Sequence, residues 1–138
     1  HVIINSGALI EHDCIINDFA HISPMASLAG SVLVGEGTQI GINATIRQGI
    51  NIGKWVTIGA GSVIIKDVPD YAVVVGNPGK IIRAVSEEQL KWKTEGTRLY
   101  QQLPVYCKNE LKKCQPLRKT KKQTPLRSFH YKTWKSKP

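Results

Sequence analysis

The sequence predicts an all-β solenoid, a parallel β-helix built from six-residue repeats. An aliphatic residue recurs at every sixth position from Ile4 to Ile64, and the residue four positions after each is mostly small or β-branched. Neither an α-helix nor an ordinary strand keeps such a period, whereas a triangular solenoid of short strands does. Three repeats then make one turn. The aliphatic register is Ile4, Ile10, Ile16, Ile22, Leu28, Val34, Ile40, Ile46, Ile52, Ile58 and Ile64.

Four glycines directly follow aliphatic residues of this register, namely Gly35, Gly41, Gly53 and Gly59. We expect the chain to bend at these positions, because glycine adopts positive φ most easily. The alternative fold, a sandwich of short buried strands, does not require turns at a fixed six-residue interval.

The repeat resembles that of the hexapeptide acyltransferases, and this resemblance implies that the β-helix is left-handed. Asp67-Val68-Pro69 and Gly76-Asn77-Pro78-Gly79-Lys80 are similar to the motifs with which that family ends its helix, although Gly79 replaces the usual alanine. The first predicted domain therefore covers residues 1–79. The chain begins in register and without Met, as a fragment that lacks earlier coils or an earlier domain would, and the sequence leaves this question open.

Charge divides the chain into a weakly acidic part and a strongly basic part. Residues 1–79 hold three basic and six acidic residues, whereas residues 80–138 hold sixteen basic and four acidic ones. No nucleic-acid motif accompanies the basic part, so nucleic acid is not an expected partner. The sequence shows no apolar run of membrane-spanning length and no signal-peptide pattern. With three cysteines and no disulfide framework, a cytoplasmic location is expected.

The segment after the β-helix is predicted to be helical over residues 80–117 and to be followed by a basic, flexible tail over residues 118–138. Ser86 and Gln89 form a capping-box pattern. Pro104 suits the first turn of a second helix that runs to Cys114. The stretch of residues 86–101 resembles the C-terminal helix of the carnitine-operon and phenylacetate-degradation proteins, which are similar to γ-class carbonic anhydrases. An apolar stripe of the first helix is expected to pack on the β-helix or a neighbouring subunit, and it comprises Leu90, Trp92, Leu99, Tyr100 and Leu103.

The predicted chemistry centres on His12, which lies between two carboxylates, Glu11 and Asp13. A carboxylate partner raises the pKa of a histidine and fixes its tautomer, which makes it a better proton acceptor near neutral pH. The sequence alone does not decide which carboxylate orients His12. Gly30 lies three hexads after His12, so their backbones should be about 4.8 Å apart on neighbouring coils. The amide of Gly30 is therefore a candidate oxyanion donor.

Residues 4–14 resemble a signature of sugar acetyltransferases, the sialic-acid O-acetyltransferases and the bacillosamine and perosamine N-acetyltransferases. The resemblance implies that His12 is the general base. It also assigns His21, in Phe19-Ala20-His21-Ile22-Ser23, to the second histidine of that subgroup. Asn5 and His21 are accordingly the predicted substrate-binding residues, and the family's homotrimer is the predicted assembly. The acceptor would be an amine or hydroxyl of an amino sugar, free or linked to a nucleotide.

Acetyl-CoA is the implied co-substrate, and its arm is expected to lie along the later coils. Their backbone offers free amides and little side-chain bulk, and three basic residues beyond them could face the nucleotide phosphates. The predicted cofactor-binding residues are Gly41, Ile42, Gly59, Ala60, Gly61, Lys66, Lys80 and Arg83.

Two other functions remain open from the sequence. The first is a γ-carbonic-anhydrase-like or thioesterase protein of the branch that the C-terminal helix resembles. The three-histidine zinc site of that branch has two histidines with four residues between them. The four histidines of this chain, His1, His12, His21 and His130, lack that spacing. No metal is therefore expected. The second is a non-enzymatic scaffold whose basic tail binds a polyanion.

Overall fold

A computed structural model describes residues 1–113 and has the predicted parallel β-solenoid, with about four turns. Each strand of the repeat is two residues long, and two longer strands and one helix follow the last coil. The strands are β1 Ile3–Ile4, β2 Leu9–Ile10, β3 Ile15–Ile16, β4 His21–Ile22, β5 Ser27–Leu28, β6 Leu33–Val34, β7 Gln39–Ile40, β8 Thr45–Ile46, β9 Asn51–Ile52, β10 Thr57–Ile58, β11 Val63–Ile64, β12 Ala72–Val75 and β13 Lys80–Ala84.

Three sheets form the faces of the solenoid. Sheet A contains β1, β4, β7, β10, β12 and β13, sheet B contains β2, β5, β8 and β11, and sheet C contains β3, β6 and β9. Strands one turn apart pair in parallel, so that Ile4 is opposite Ile22 and Leu28 is opposite Ile46. Among the strands of residues 1–113, β13 alone is antiparallel to its neighbour, β12. Residues eighteen positions apart therefore form columns along the solenoid, as the repeat predicts.

The core is formed by the two inward registers. The aliphatic positions from Ile22 to Ile64 are at most 2% exposed, and the small register is buried from Ala20 onward. Ile4 is 55% exposed and Ile10 and Ile16 are partly buried, because among residues 1–113 no coil covers the first one. The buried hydroxyl of Thr38 donates to Gly53 O at 2.7 Å and accepts from Val56 N at 3.0 Å. The aliphatic register therefore forms one continuous core from the second coil onward.

The positions of positive φ differ from the prediction. Every sixth residue from position 7 to position 61 has φ between 55° and 71°, whichever amino acid is present there. Gly35, Gly41, Gly53 and Gly59 are not among these residues. They are instead where neighbouring coils approach closely: a Cβ on Gly35 would be 2.7 Å from Lys54 N, and one on Gly41 would be 2.6 Å from Ala60 N. Space between coils, rather than backbone conformation, therefore explains glycine there.

One helix, α1, extends from Glu87 to Glu110. Its capping box is as predicted, since Gln89 N donates to Ser86 Oγ at 3.2 Å and Ser86 N donates to Gln89 Oε1 at 3.4 Å. The prediction of two helices is wrong, because Pro104 lies inside α1 rather than at the start of another helix. Proline lacks a backbone N–H, so it cannot donate to the carbonyl one turn before it, yet α1 continues past it.

The described chain forms two compact units. Residues 1–101 comprise the solenoid and the first part of α1, and the second unit, residues 102–138, is described as far as residue 113. No residue of α1 is fully buried. Within the first unit, Leu90 and Trp92 of the predicted stripe are half-buried and Leu99 and Tyr100 are exposed. The segment predicted to be helical from residue 80 starts instead with a strand, because residues 80–84 form β13. Cys114 and the predicted tail lie outside the described residues.

Candidate active site

His12 lies at the corner where the chain passes from sheet B to sheet C, and its side chain is 67% exposed. Its Nδ1 is 2.9 Å from Oδ2 of Asp13. This hydrogen bond, and then the charge of Asp13, raise the pKa of His12 above its ordinary value of 6.5. Asp13, rather than Glu11, is therefore the carboxylate that contacts His12. With its proton on Nδ1, the neutral imidazole keeps a free lone pair on Nε2.

Gly30 lies directly beside His12 on the next coil. Ser31 N donates to His12 O at 2.9 Å, and an ideal Cβ on Gly30 would be 2.5 Å from Nε2 of His12 and 2.6 Å from Cε1. The imidazole thus occupies the space that any side chain at position 30 would need. The backbone N–H of Gly30 has no acceptor within the described residues. The strand register places Gln48 and Lys66 on the same corner, one and two coils further along.

Asn5 and His21 form a separate pair at sheet A. Asn5 directly follows β1, which pairs with the strand of His21, and the amide nitrogen of Asn5 is hydrogen-bonded to Nε2 of His21. Because an amide nitrogen only donates, Nε2 accepts and a neutral His21 carries its proton on Nδ1. Burial, and then the charge of Lys93, lower the pKa of His21 below 6.5. His12 and His21 therefore lie on different parts of the solenoid, as predicted. The pKa of His12 is raised and the pKa of His21 is lowered.

The predicted cofactor-binding residues lie at three places in the structure. The backbone residues share the corner between sheets A and B, where Gly61 N donates to Ile42 O at 2.8 Å and Ile42 is exposed. Lys66 follows β11 and lies on the corner of His12. Lys80 and Arg83 are on β13 at the end of sheet A, and Arg83 donates to Gln89 Oε1 at 2.6 Å. The three basic residues thus follow or lie on strands of different sheets, Lys66 after sheet B and the other two on sheet A, and their binding of phosphate stays a prediction.

Sequence reasoning missed Gln39 and Lys93. Gln39 pairs with His21 on the neighbouring strand, and the eighteen-residue column would have found it. Lys93 lies on α1 and donates to Val56 O at 3.1 Å and Thr57 Oγ1 at 3.0 Å. No pattern in the sequence distinguishes it from the two other lysines of α1.

Among residues 1–113, no group of three histidine, cysteine or acidic residues is arranged to hold a metal ion. In the same part of the chain, no helix combines the length and apolarity that a membrane span needs.

Comparison with known proteins identifies the repeat. Residues 31–66 match the family model described as bacterial transferase hexapeptide (six repeats). The acetyltransferase domain of PglB from Neisseria gonorrhoeae is 47% identical over 59% of this chain, with a TM-score of 0.58. This part of the chain therefore carries the six-residue repeat of the hexapeptide transferases. The similarity is consistent with the predicted left-handed β-helix of that family.

Both predicted branches of the family appear among the similar proteins. Perosamine N-acetyltransferase from Caulobacter crescentus is 39% identical over 59% of this chain, with a TM-score of 0.59. Carnitine operon protein CaiE from Salmonella agona is 31% identical over 115 residues, which is 82% of this chain.

The chain covers only part of the length of each of these similar proteins. The chain spans 58% of CaiE, 40% of the PglB domain and 39% of the perosamine enzyme.

Proposed function

We propose that this protein is an acetyltransferase that transfers the acetyl group of acetyl-CoA to an amine or hydroxyl, on an amino sugar. The observation that carries the proposal is the arrangement at one corner of the solenoid. Asp13 holds Nδ1 of His12, and Nε2 of the same ring lies beside the unpaired amide of Gly30. A base and an oxyanion donor are thus adjacent, as acyl transfer requires.

The reaction proceeds by direct attack. The acceptor nitrogen or oxygen bonds to the thioester carbonyl carbon while Nε2 of His12 takes the acceptor's proton. The amide of Gly30 donates to the oxygen, which becomes negative in the tetrahedral intermediate. The intermediate then loses the thiolate of coenzyme A, which takes the proton from His12. Asp13 stabilises the imidazolium between these two transfers, and no bond to the enzyme forms.

The similar structures support the choice of substrates. One structure of the PglB domain contains acetyl coenzyme A, and the perosamine enzyme was crystallised with CoA and GDP-perosamine. Two structures of the perosamine enzyme carry a single histidine replaced by asparagine or alanine. These facts concern the similar proteins. For this chain they favour a coenzyme A thioester and an amino sugar, with a histidine in the mechanism.

Acetyl-CoA lies along the solenoid, with its arm against the corner that carries Ile42 and Gly61. A Cβ on Gly61 would meet no atom within 4 Å, and Ile42 is exposed, so an alkyl chain can lie there against apolar surface.

The protein acts as a homotrimer, in which His21 and Asn5 of one subunit complete the site of His12 in the next. The separation of the two histidines onto different parts of the solenoid favours this shared site.

Acetyl-CoA turnover against a panel of amino sugars tests the proposal, with the released thiol as the readout. We expect one or more sugars to release thiol in a reaction that His12→Ala slows by roughly 10²–10⁴-fold, the usual contribution of a general base. Binding of acetyl-CoA should be retained by the variant. Glu11→Gln is the matched control, because Glu11 adjoins His12 without a hydrogen bond to it. Turnover that is unchanged in His12→Ala would exclude His12 as the base.

A further inference from the structure

The outer face of sheet A carries a polar column that the proposed mechanism does not fully use. The strand register aligns His21 on β4, Gln39 on β7 and Thr57 on β10. Adjacent strands are about 4.8 Å apart, so Gln39 lies between the other two. All three residues are partly buried, and the column contains no acidic residue.

Lys93 brings a positive charge to one end of this column. Its ammonium group donates to Val56 O and Thr57 Oγ1, which accounts for two of its three N–H donors. No carboxylate within residues 1–113 forms an ion pair with it. Partial burial lowers the pKa of Lys93 to about 8, because it removes water from around the ammonium group. The structure therefore contains a cation that an anion would stabilise.

Further donors face the same region. Since Nε2 of His21 accepts from Asn5, the N–H of a neutral His21 is on Nδ1, and it has no acceptor within the described residues. The side-chain amide of Gln39 likewise has no acceptor there. A histidine N–H, an amide and an ammonium group thus lie along one column without an acidic group among them. Such a set of donors matches the oxygens of a carboxylate or a phosphate.

We propose that His21, Gln39 and Lys93 form a subsite for an oxyanion, a carboxylate or phosphate, carried by the acetyl acceptor. The inference rests on the proposed function, since it names the chemistry of the acceptor. A neutral acceptor would leave the ammonium group of Lys93 uncompensated, whereas an oxyanion supplies its missing partner and accepts from the other two donors. The phosphates of coenzyme A have the same chemistry, so the experiment must separate the two sources.

Nuclear magnetic resonance of the full chain, labelled with ¹³C at the lysine ε-carbons, tests the subsite without requiring turnover. Loss of one resonance in Lys93→Gln assigns Lys93. Inorganic phosphate is the probe, and we expect it to shift the Lys93 resonance saturably and to raise its pKa from about 8. Gln39→Leu should weaken this response several-fold. Lys91→Gln is the matched control, because Lys91 is exposed two residues earlier on α1.

The same titration with acetyl-CoA present identifies the source of the oxyanion. A response to phosphate that persists with acetyl-CoA bound supports an acceptor subsite, whereas loss of the response assigns the site to the cofactor and overturns the proposal. A Lys93 resonance that does not respond to phosphate also overturns it.

Turnover then separates this inference from the proposed function. Glucosamine and glucosamine 6-phosphate serve as the two acceptors. Lys93→Gln should lower kcat/KM about tenfold for the phosphorylated sugar only, which is the loss expected when one charge-assisted contact is removed. Equal losses for both sugars would contradict the subsite. Absence of acetyl transfer to every sugar of the panel would contradict the proposed function and leave the phosphate titration as an independent result.

Discussion

Replacing Gly30 with alanine is expected to disable His12 without unfolding the solenoid. The new Cβ would be 2.5 Å from Nε2 and 3.1 Å from Cδ2 of His12, whereas ordinary contact begins at 3.4 Å. The imidazole must therefore move by about 1 Å or swing into solvent, which its exposure allows. A displacement of about 1 Å can reduce a rate by roughly 10²-fold. That loss in kcat corresponds to about 2.7 kcal/mol of transition-state stabilisation.

The stability of the Gly30→Ala variant should change little. Gly30 does not have positive φ, so alanine can adopt its backbone conformation, and such replacements change the free energy of unfolding by about 1 kcal/mol or less. Thiol release gives kcat, and urea unfolding gives the stability. Gln48→Ala is the control, because Gln48 is exposed at the same corner one coil further along.

A double-mutant cycle decides whether the effect acts through the imidazole. Alanine retains the backbone N–H, so Gly30→Ala should cost little further activity in a His12→Ala background. Losses that multiply in the double variant, or a Gly30→Ala variant with the kcat of the parent, would refute the argument from contact.

Three other predictions follow from the same structure. Asp13 raises the pKa of His12 above 6.5, and the base must be neutral to act, so activity should rise with pH through that pKa. Asp13→Asn should move this rise in the kcat/KM profile to lower pH. A rise that stays at the same pH in the variant would exclude the contact between Asp13 and His12. Ile46→Ala should lower the free energy of unfolding by about 2–5 kcal/mol, because Ile46 is 0% exposed. Ile4→Ala should lower it by less than about 1 kcal/mol, because Ile4 is 55% exposed. Equal losses in urea unfolding would contradict this difference in burial. Sedimentation should give a species of three chains, and mixed trimers of His12→Ala and His21→Ala should recover activity that neither variant has alone; no recovery would contradict a shared site.

The fold could be predicted because one physical constraint repeats along the chain. Every coil needs an aliphatic side chain at the same inward position, so the period is visible without any knowledge of contacts. The turn conformation was mispredicted for the opposite reason. The coil imposes positive φ at positions as different as Asp13, Phe19 and Trp55, so no residue type marks these turns in the sequence. The glycines that follow the aliphatic register mark close contact between coils instead.

The candidate site divides in the same way. His12 and Gly30 could be paired from the sequence, because the eighteen-residue period converts sequence distance into neighbouring coils. The choice of Asp13 over Glu11 depends on side-chain direction, which the repeat does not encode. Lys93 could not be found, because its position depends on how α1 lies on sheet A rather than on the repeat. Their roles in catalysis and binding remain predictions.

A crystal structure of the full chain with acetyl-CoA tests the central claim most directly, namely that acyl transfer takes place between His12 and Gly30. We expect the thioester carbonyl oxygen about 3 Å from the backbone nitrogen of Gly30, within the range that an oxyanion donor requires, with Nε2 of His12 facing the carbonyl carbon across the space for an acceptor. A thioester bound at another corner of the solenoid, away from both residues, would contradict the account.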